Sequence, residues 1–370
     1  MNLSCKRIFS IFFTLFIVLG CSSIDPIIEI QEQSEEILIP VYFKEHIAEK
    51  EASISEAIKT AKNDYASLIF FTDAHWGANN HNTPSLINHI VHNTPIEDVV
   101  FGGDVITTSF KNPYDAYELG LSFRAAFKTL NCNMYFLYGN HDNNSDGHPA
   151  EMERHLTDDL VFDYLQKGMS KCEYGGFFNF YFDRIGCKTR FICLDTGRYY
   201  YSILRGKTIE TVKFLIKVLD ETPDGWNIVI FSHLWYNLNY DVPRTPYMPD
   251  NIKSIMKILD DYNTRRNGVF TFNGESEEYD FSDASSMIKC CIGGHCHIDS
   301  IQFSDGGIPI IIATTDSKQT VNGEEAIDGT IAEQAISVFV FDYSNQVLKM
   351  IRIGRGKDFE IQFKTSDSKC

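Results

Sequence analysis

The stretch Met134-Tyr135-Phe136-Leu137-Tyr138-Gly139-Asn140-His141-Asp142 governs the reading of this chain. Five apolar residues make a strand-length run, a glycine permits a sharp exit, and polar side chains follow that bind metals or move protons. The same layout occurs four more times. Leu68-Ile69-Phe70-Phe71 leads to Asp73-Ala74-His75, and Val99-Val100-Phe101 leads to Gly103-Asp104. Ile228-Val229-Ile230-Phe231 leads to Ser232-His233, and Ile288-Lys289-Cys290-Cys291-Ile292 leads to Gly294-His295-Cys296-His297. In open α/β sheets the carboxyl ends of strands border the crevice where ligands bind, so five such ends predict one shared site. Residues i and i+2 of an extended backbone point to the same side. Asp73 and His75 are therefore expected to reach one ion, and His295 and His297 to face the same crevice. Carboxylate and imidazole without thiolate suit Zn, Fe or Mn better than a structural thiolate cage. The expectation is a site for two divalent ions.

The ordered set Asp-x-His, Gly-Asp, Gly-Asn-His-Asp, His and Gly-His-x-His resembles the calcineurin-like metallophosphoesterase superfamily. The resemblance runs from about Leu68 to His297, with every signature position filled. It implies Asp73, His75, Asp104 and His297 on a first metal, and a shared Asp104 with Asn140, His233 and His295 on a second. It further implies His141 as a catalytic imidazole that is not a ligand, with Asp142 as its orienting carboxylate. In that chemistry a hydroxide bridging two ions attacks phosphorus in line while the metals neutralise charge on the phosphoryl oxygens. His141 then protonates the leaving alkoxide or stabilises the phosphoryl oxygens. Purple acid phosphatases of the same superfamily carry a tyrosine three residues after the bridging aspartate. Here that position is Thr107, so a tyrosinate-bound ferric ion is not expected.

Around these strands the chain alternates in type. Helices are predicted over 84–94, 113–130, 149–167, 207–220 and 250–266, with Pro84, Pro113, Pro149 and Pro249 marking their starts. A leading helix is predicted over 45–63. Strand, helix and strand in succession imply parallel pairing. Alternating Phe178, Phe180 and Phe182, followed by Arg190-Phe191-Ile192-Cys193-Leu194, predict a hairpin-like pair. Residues 267–286 read as an acidic surface hairpin or lid, and the tail from Ile308 to Ile353 is strand-rich. The fold class expected is α/β, a two-sheet β-sandwich flanked by helices, as the resemblance implies.

The N-terminus carries a second signal. Lys6 and Arg7 precede an apolar run from Ile8 to Leu19, too short for a comfortable transmembrane helix. Leu19-Gly20-Cys21 resembles the bacterial lipobox, in which the cysteine is lipidated and becomes the mature first residue. The expected organisation is a signal peptide over 1–20, a tether over 21–40 and one catalytic domain over 41–370. A plain signal peptide with an incidental cysteine is the alternative. Ser22 stands where the common inner-membrane retention signal has aspartate. The expected location is therefore outside the cytoplasm, lipid-anchored, on the outer membrane where the host has one.

Composition narrows the function. The 370 residues have ordinary apolar content, 44%, enough for a sizeable core, and a formal net charge of −17. Such a charge argues against tracking a nucleic-acid polymer, whose binding surfaces are basic. A small phosphoester drawn in by metal ions remains compatible. Arg198, within Gly197-Arg198-Tyr199-Tyr200-Tyr201, and Arg244, near Tyr240 and Tyr247, are candidate substrate contacts beside Asn140. Packing of these aromatics under a surface loop is an equal explanation. Cys193, Cys290 and Cys291 read as buried thiols, Cys296 as a core residue, and Cys172 with Cys187 as a candidate disulfide. The function expected is a metal-dependent phosphomonoesterase or phosphodiesterase. The alternatives are a non-enzymatic metal-containing scaffold lipoprotein, which would lack a ligand or His141, and a nuclease of the same fold.

Overall fold

The computed structural model describes residues 38–77, 82–106, 110–145, 151–176, 178–196, 208–235, 250–318 and 325–363. Thr107, Arg198, Arg244 and Cys21 lie outside them. The described residues belong to the compact unit Ile37–Cys370.

The first half runs α1 (Lys44–Ala61), β1 (Tyr65–Phe71), α2 (Thr83–Asn93), β2 (Asp98–Phe101), α3 (Pro113–Phe127), β3 (Asn133–Phe136) and α4 (Asp158–Leu165). There follow β4 (Glu173–Tyr174), β5 (Phe180–Arg184), β6 (Thr189–Leu194), α5 (Thr208–Asp220), β7 (Asn227–Ser232) and α6 (Asp250–Asn263). The chain ends with β8 (Asn267–Phe272), β9 (Glu275–Asp280), β10 (Met287–Gly293), β11 (Ser300–Phe303) and β12 (Pro309–Ile312). The last three strands are β13 (Ala335–Asp342), β14 (Val347–Gly354) and β15 (Phe359–Gln362).

One sheet has the order β15-β14-β13-β1-β2-β3 and the other β11-β12-β10-β7-β6-β5-β4. The strands that carry the motifs pair in parallel, β1 with β2 and β2 with β3 in one sheet, β7 with β10 in the other. Antiparallel strands complete each sheet, including the β5–β6 pair and the tail strand β13 against β1. Strand alternation sorts side chains between layers. Leu68 and Phe70 of β1 and Val229 and Phe231 of β7 fill the space between the sheets. Ile69 and Phe71 pack outward with α1 to α4, and Ile228 and Ile230 pack outward with α5 and α6. Phe70 stacks on Phe231 across the sandwich at 5.7 Å, which brings the two motif-bearing strands face to face. Each such fully buried side chain contributes about 1.5–3 kcal/mol. The helix–sheet–sheet–helix layering agrees with the fold class expected.

Two expectations need correction. The predicted helix over 149–167 is shorter: a 3₁₀ turn covers Met152–Arg154, and α4 starts only after Thr157. Thr157 is the better cap, since its hydroxyl accepts from Leu160 N and Asp158 and Asp159 complement the helix dipole. Cys172 and Cys187 are free thiols rather than a pair. Cys193, Cys290 and Cys291 are buried as expected. The acidic stretch after Asn267 is an antiparallel hairpin of β8 and β9. Among the described residues, no helix is long and apolar enough to cross a membrane.

Candidate metal centre

All five polar clusters meet at the carboxyl ends of β1, β2, β3, β7 and β10. Asp73, His75 and His297 form one group and Asp104, His233 and His295 a second, the ligand atoms of each lying within 4.8 Å of one another.

Close packing of backbone allows the convergence. A Cβ on Gly139 would meet the Asp104 carboxylate, and one on Gly294 would meet Thr72 Oγ1 and Asp73 Oδ2. The local conformation differs from the extended one expected. Asp73 (φ 53°), His75 (φ 40°), Asp104 (φ 63°), His295 (φ 69°) and His297 (φ 57°) are all left-handed. The strands end at Phe71 and Gly293, so the i, i+2 argument from extended backbone does not apply to these pairs. Asp73 and His75 do share a group, while His295 and His297 divide between the two. A left-handed non-glycine residue costs roughly 1–2 kcal/mol, so this conformation is held by its surroundings.

Each carboxylate has one oxygen tied to the chain and one turned inward. Asp73 Oδ2 accepts from Thr72 Oγ1 at 2.7 Å and from His295 N at 2.9 Å. Asp104 Oδ1 accepts from His141 N at 2.9 Å. The remaining oxygens, Asp73 Oδ1 and Asp104 Oδ2, are buried and accept no hydrogen bond. They face imidazoles instead, Asp73 Oδ1 at 3.2 Å from His297 Nε2 and Asp104 Oδ2 at 3.2 Å from His233 Nε2.

The imidazoles are set by the same logic. His75 Nδ1 lies 2.9 Å from Ile106 O and His233 Nδ1 2.8 Å from Gly102 O. Donation to those carbonyls fixes the proton on Nδ1 and leaves each Nε2 lone pair for a ligand. His75 Nε2 and His297 Nε2 then approach each other to 3.2 Å. Donor atoms around one tetrahedral ion at about 2.0–2.1 Å stand about 3.3 Å apart, so this spacing suits a shared cation. Asn140 Oδ1 lies 3.0 Å from His233 Nε2, within the second group. Orphaned inward oxygens and facing nitrogens fit two divalent ions.

Electrostatics agree. Burial pushes His75 down to about 4, which keeps it a neutral ligand. Burial also opposes charge on His233, but Asp104 and then Asp73 outweigh it and raise His233 to about 10. Against the same burial, the neighbouring His233 holds both Asp73 and Asp104 below the usual carboxylate range. These carboxylates demand positive charge nearby.

His141 stands at the rim, its side chain 21% exposed and its Nε2 3.8 Å from Asp104 Oδ2. Asp142 is engaged by the backbone of two neighbouring loops. Its Oδ2 accepts from Gly139 N at 2.7 Å and Asp104 N at 3.1 Å, and its Oδ1 from Val105 N at 2.7 Å. Accepting from three amides, it clamps the loops after β2 and β3 together. Tyr164 secures the same turn by donating to Asp142 O at 2.7 Å. Sequence reading passed over Thr72, Tyr164 and the polar run Thr314-Thr315-Asp316 after β12. That run repeats the pattern of polar residues after an apolar strand, which was the signal that marked the other five.

No curated protein matches the chain. Among solved structures, it is similar to a dimetal phosphatase from Danio rerio, 14% identical over 80% of this chain and 99% of that one, TM-score 0.47. It is also similar to a phosphopantetheinyl hydrolase from Mycobacterium tuberculosis, 13% identical over 68% of this chain and 91% of that one, TM-score 0.35. The family model for calcineurin-like phosphoesterases matches residues 66–299, from β1 through the turn that holds His295 and His297. The chain belongs to that family, and it is a metal-dependent phosphoesterase with two divalent ions as cofactors.

Proposed function

We propose that the protein is an exported, lipid-anchored phosphoesterase that hydrolyses small phosphomonoesters or phosphodiesters. The observation that carries the chemistry is the pair of buried, unpartnered oxygens, Asp73 Oδ1 and Asp104 Oδ2, turned toward imidazole nitrogens beneath an accessible His141. Asp73, His75 and His297 would hold a first ion, and Asn140, His233 and His295 a second. Asp104 would serve both, as the resemblance implies, its Oδ2 being unpartnered while Oδ1 accepts from His141 N. When bound, two such ions supply an activated water near neutral pH and neutralise charge on the phosphoryl group. Mn, Zn or Fe suits the donor set.

The chain's own part is positional. His75 and His233 present Nε2 inward because Ile106 O and Gly102 O take their Nδ1 protons. His141 lies near enough to the group to place a proton on the leaving oxygen. Asp142 keeps Asp104 and the His141 loop in register through three amides. Arg198 and Arg244 are proposed to hold the substrate's phosphate or its organic group. The net charge of −17 favours a small substrate over a nucleic-acid polymer.

A screen of phosphate mono- and diesters on the purified protein, supplemented with Mn, Zn or Fe, tests the activity. Arg198→Ala and Arg244→Ala should raise KM for the best substrate. Metal-loaded protein without turnover on either ester class would favour the scaffold reading. For the anchor, labelled fatty acid should enter the wild-type protein and not Cys21→Ser. Absence of label in the wild type would leave a plain secreted enzyme.

A further inference from the structure

Beyond β12, two consecutive threonines reach back to the metal centre. Thr314 and Thr315 are buried, and each hydroxyl donates to the backbone carbonyl of a candidate ligand. Thr314 Oγ1 donates to His297 O at 2.9 Å, and Thr315 Oγ1 to Asp73 O at 2.8 Å. Both recipients are left-handed, so each hydroxyl ties down a turn that sterics disfavour. The next residue adds a bond to the same loop, Asp316 N donating to Thr72 O at 3.0 Å. In the second group, the carbonyl of left-handed Asp104 is instead taken by a backbone amide, that of His75.

The two hydroxyls are committed to this task. Ser317 N donates to Thr315 Oγ1 at 3.1 Å, and Ser317 Oγ lies 3.0 Å from it. With its lone pairs so occupied, the single proton of Thr315 goes to Asp73 O. The segment is itself anchored. The buried Arg355 guanidinium donates to Thr315 O, to Ser317 O at 3.1 Å and to Ala332 O at 2.8 Å. Thr314 N donates to Asp299 Oδ1 at 3.0 Å, an oxygen also held by Arg352.

We propose that Thr314 and Thr315 are positioning residues for the first ion. They hold Asp73 and His297 in the strained conformation that brings Asp73 Oδ1 and His297 Nε2 together, and so set the affinity of that ion without touching it. Both lie beyond residue 299, outside the stretch matched by the family model. The inference rests on the two-ion reading above.

Calorimetric titration of metal-free full-length protein with Mn²⁺ tests it, with ion content checked by elemental analysis. Wild type must first bind two ions per chain, and one ion or none would overturn the two-ion reading itself. Given two, Thr314→Val and Thr315→Val should each weaken one of the two binding steps by roughly fivefold to tenfold, the worth of one hydrogen bond. Thr314→Ser and Thr315→Ser, which keep the hydroxyl, should restore it. In a His295→Ala background the loss should persist, and in an Asp73→Asn background it should vanish. Thr189→Val removes another buried hydroxyl, at the far end of β6, and should leave both steps unchanged. Equal weakening of both steps, the same loss in Thr189→Val, or no rescue by serine would overturn the proposal. Should a valine variant fail to fold, the serine variant and Thr315→Ala supply the comparison.

Discussion

The two candidate ion groups are braced from behind by different means. Asp73, His75 and His297 are all buried, and carbonyls of two of them are tied from behind by the polar segment after β12. In the other group the carbonyl of Asp104 accepts from the His75 amide and that of His233 from the Gly294 amide, while His141 borders both groups, its ring 5.1 Å from that of His75 and its Nε2 3.8 Å from Asp104 Oδ2. An ion held by the first group would therefore depend on two side-chain hydroxyls behind its ligands. A backbone donor is unaffected by side-chain substitution, whereas a threonine hydroxyl is lost with one. The first group is therefore the one more sensitive to substitution behind its ligands.

The largest test of that contrast is the carboxylate between the groups. Asp104→Ala should lose both ions and reduce turnover by more than about 10,000-fold, whereas Asp73→Ala should lose the first ion only. Elemental analysis of the two proteins reads this directly. An Asp104→Ala protein that keeps one ion with wild-type affinity would mean the groups are independent.

His141→Ala probes the rim shared by the two groups. Turnover should fall about 100- to 10,000-fold with both ions retained, because the residue acts on substrate and not on metal. Ion loss matching that of Asp104→Ala would remove His141 from the proton-transfer role.

A smaller effect is expected from Asp142→Asn. One amide oxygen cannot accept from the three amides of Gly139, Asp104 and Val105, and its NH₂ would confront a donor. A loss of about 2–3 kcal/mol is expected in denaturant unfolding, with weaker binding at the Asp104 group. Unchanged stability would mean the loops after β2 and β3 hold without the clamp.

The smallest effect concerns Asp316, behind the first group. Burial raises its carboxyl to about 7, although Ala335 N and Thr83 Oγ1 donate to it. The unfolded chain releases this proton near 3.8, so between about pH 4 and pH 7 the folded chain holds more protons. Stability then falls as pH rises through that window. Asp316→Asn mimics the protonated form, its oxygen placed to accept from Ala335 N. Its melting temperature should match wild type near pH 4 and exceed it by a few degrees at pH 8. Parallel melting curves across the range would show that Asp316 does not titrate there.

Much of the site was legible before the fold was known, for a local reason. Apolar runs of three to five residues leading to a polar ligand, three of them through glycine, announce strand ends, and strand ends of such sheets converge. Asp73, His75, Asp104, Asn140, His233, His295 and His297 all meet where that argument puts them. The extended geometry assumed for Asp73 and His75 was wrong because neighbouring loops impose the left-handed turn, which aspartate and histidine enter more readily than most residues but which no local pattern marks at these positions. The start of α4 was misplaced because Pro149 was weighed above the capping hydroxyl of Thr157.

Residue order alone therefore determined the alternation of strands and helices, the ligand types and their arrival at shared strand ends, while the two-sheet layering was what the family resemblance implied. Hydrophobic alternation and glycine placement act over a few residues and can be read there. Tertiary structure alone decided which carboxylate oxygen faces inward, where the Asp142 oxygens point, and that Thr315 braces Asp73 across 242 residues of chain. Those are hydrogen-bond choices between segments that meet only after the two sheets have packed. Each donor or acceptor has many partners available in sequence, and only burial in the folded sandwich selects one.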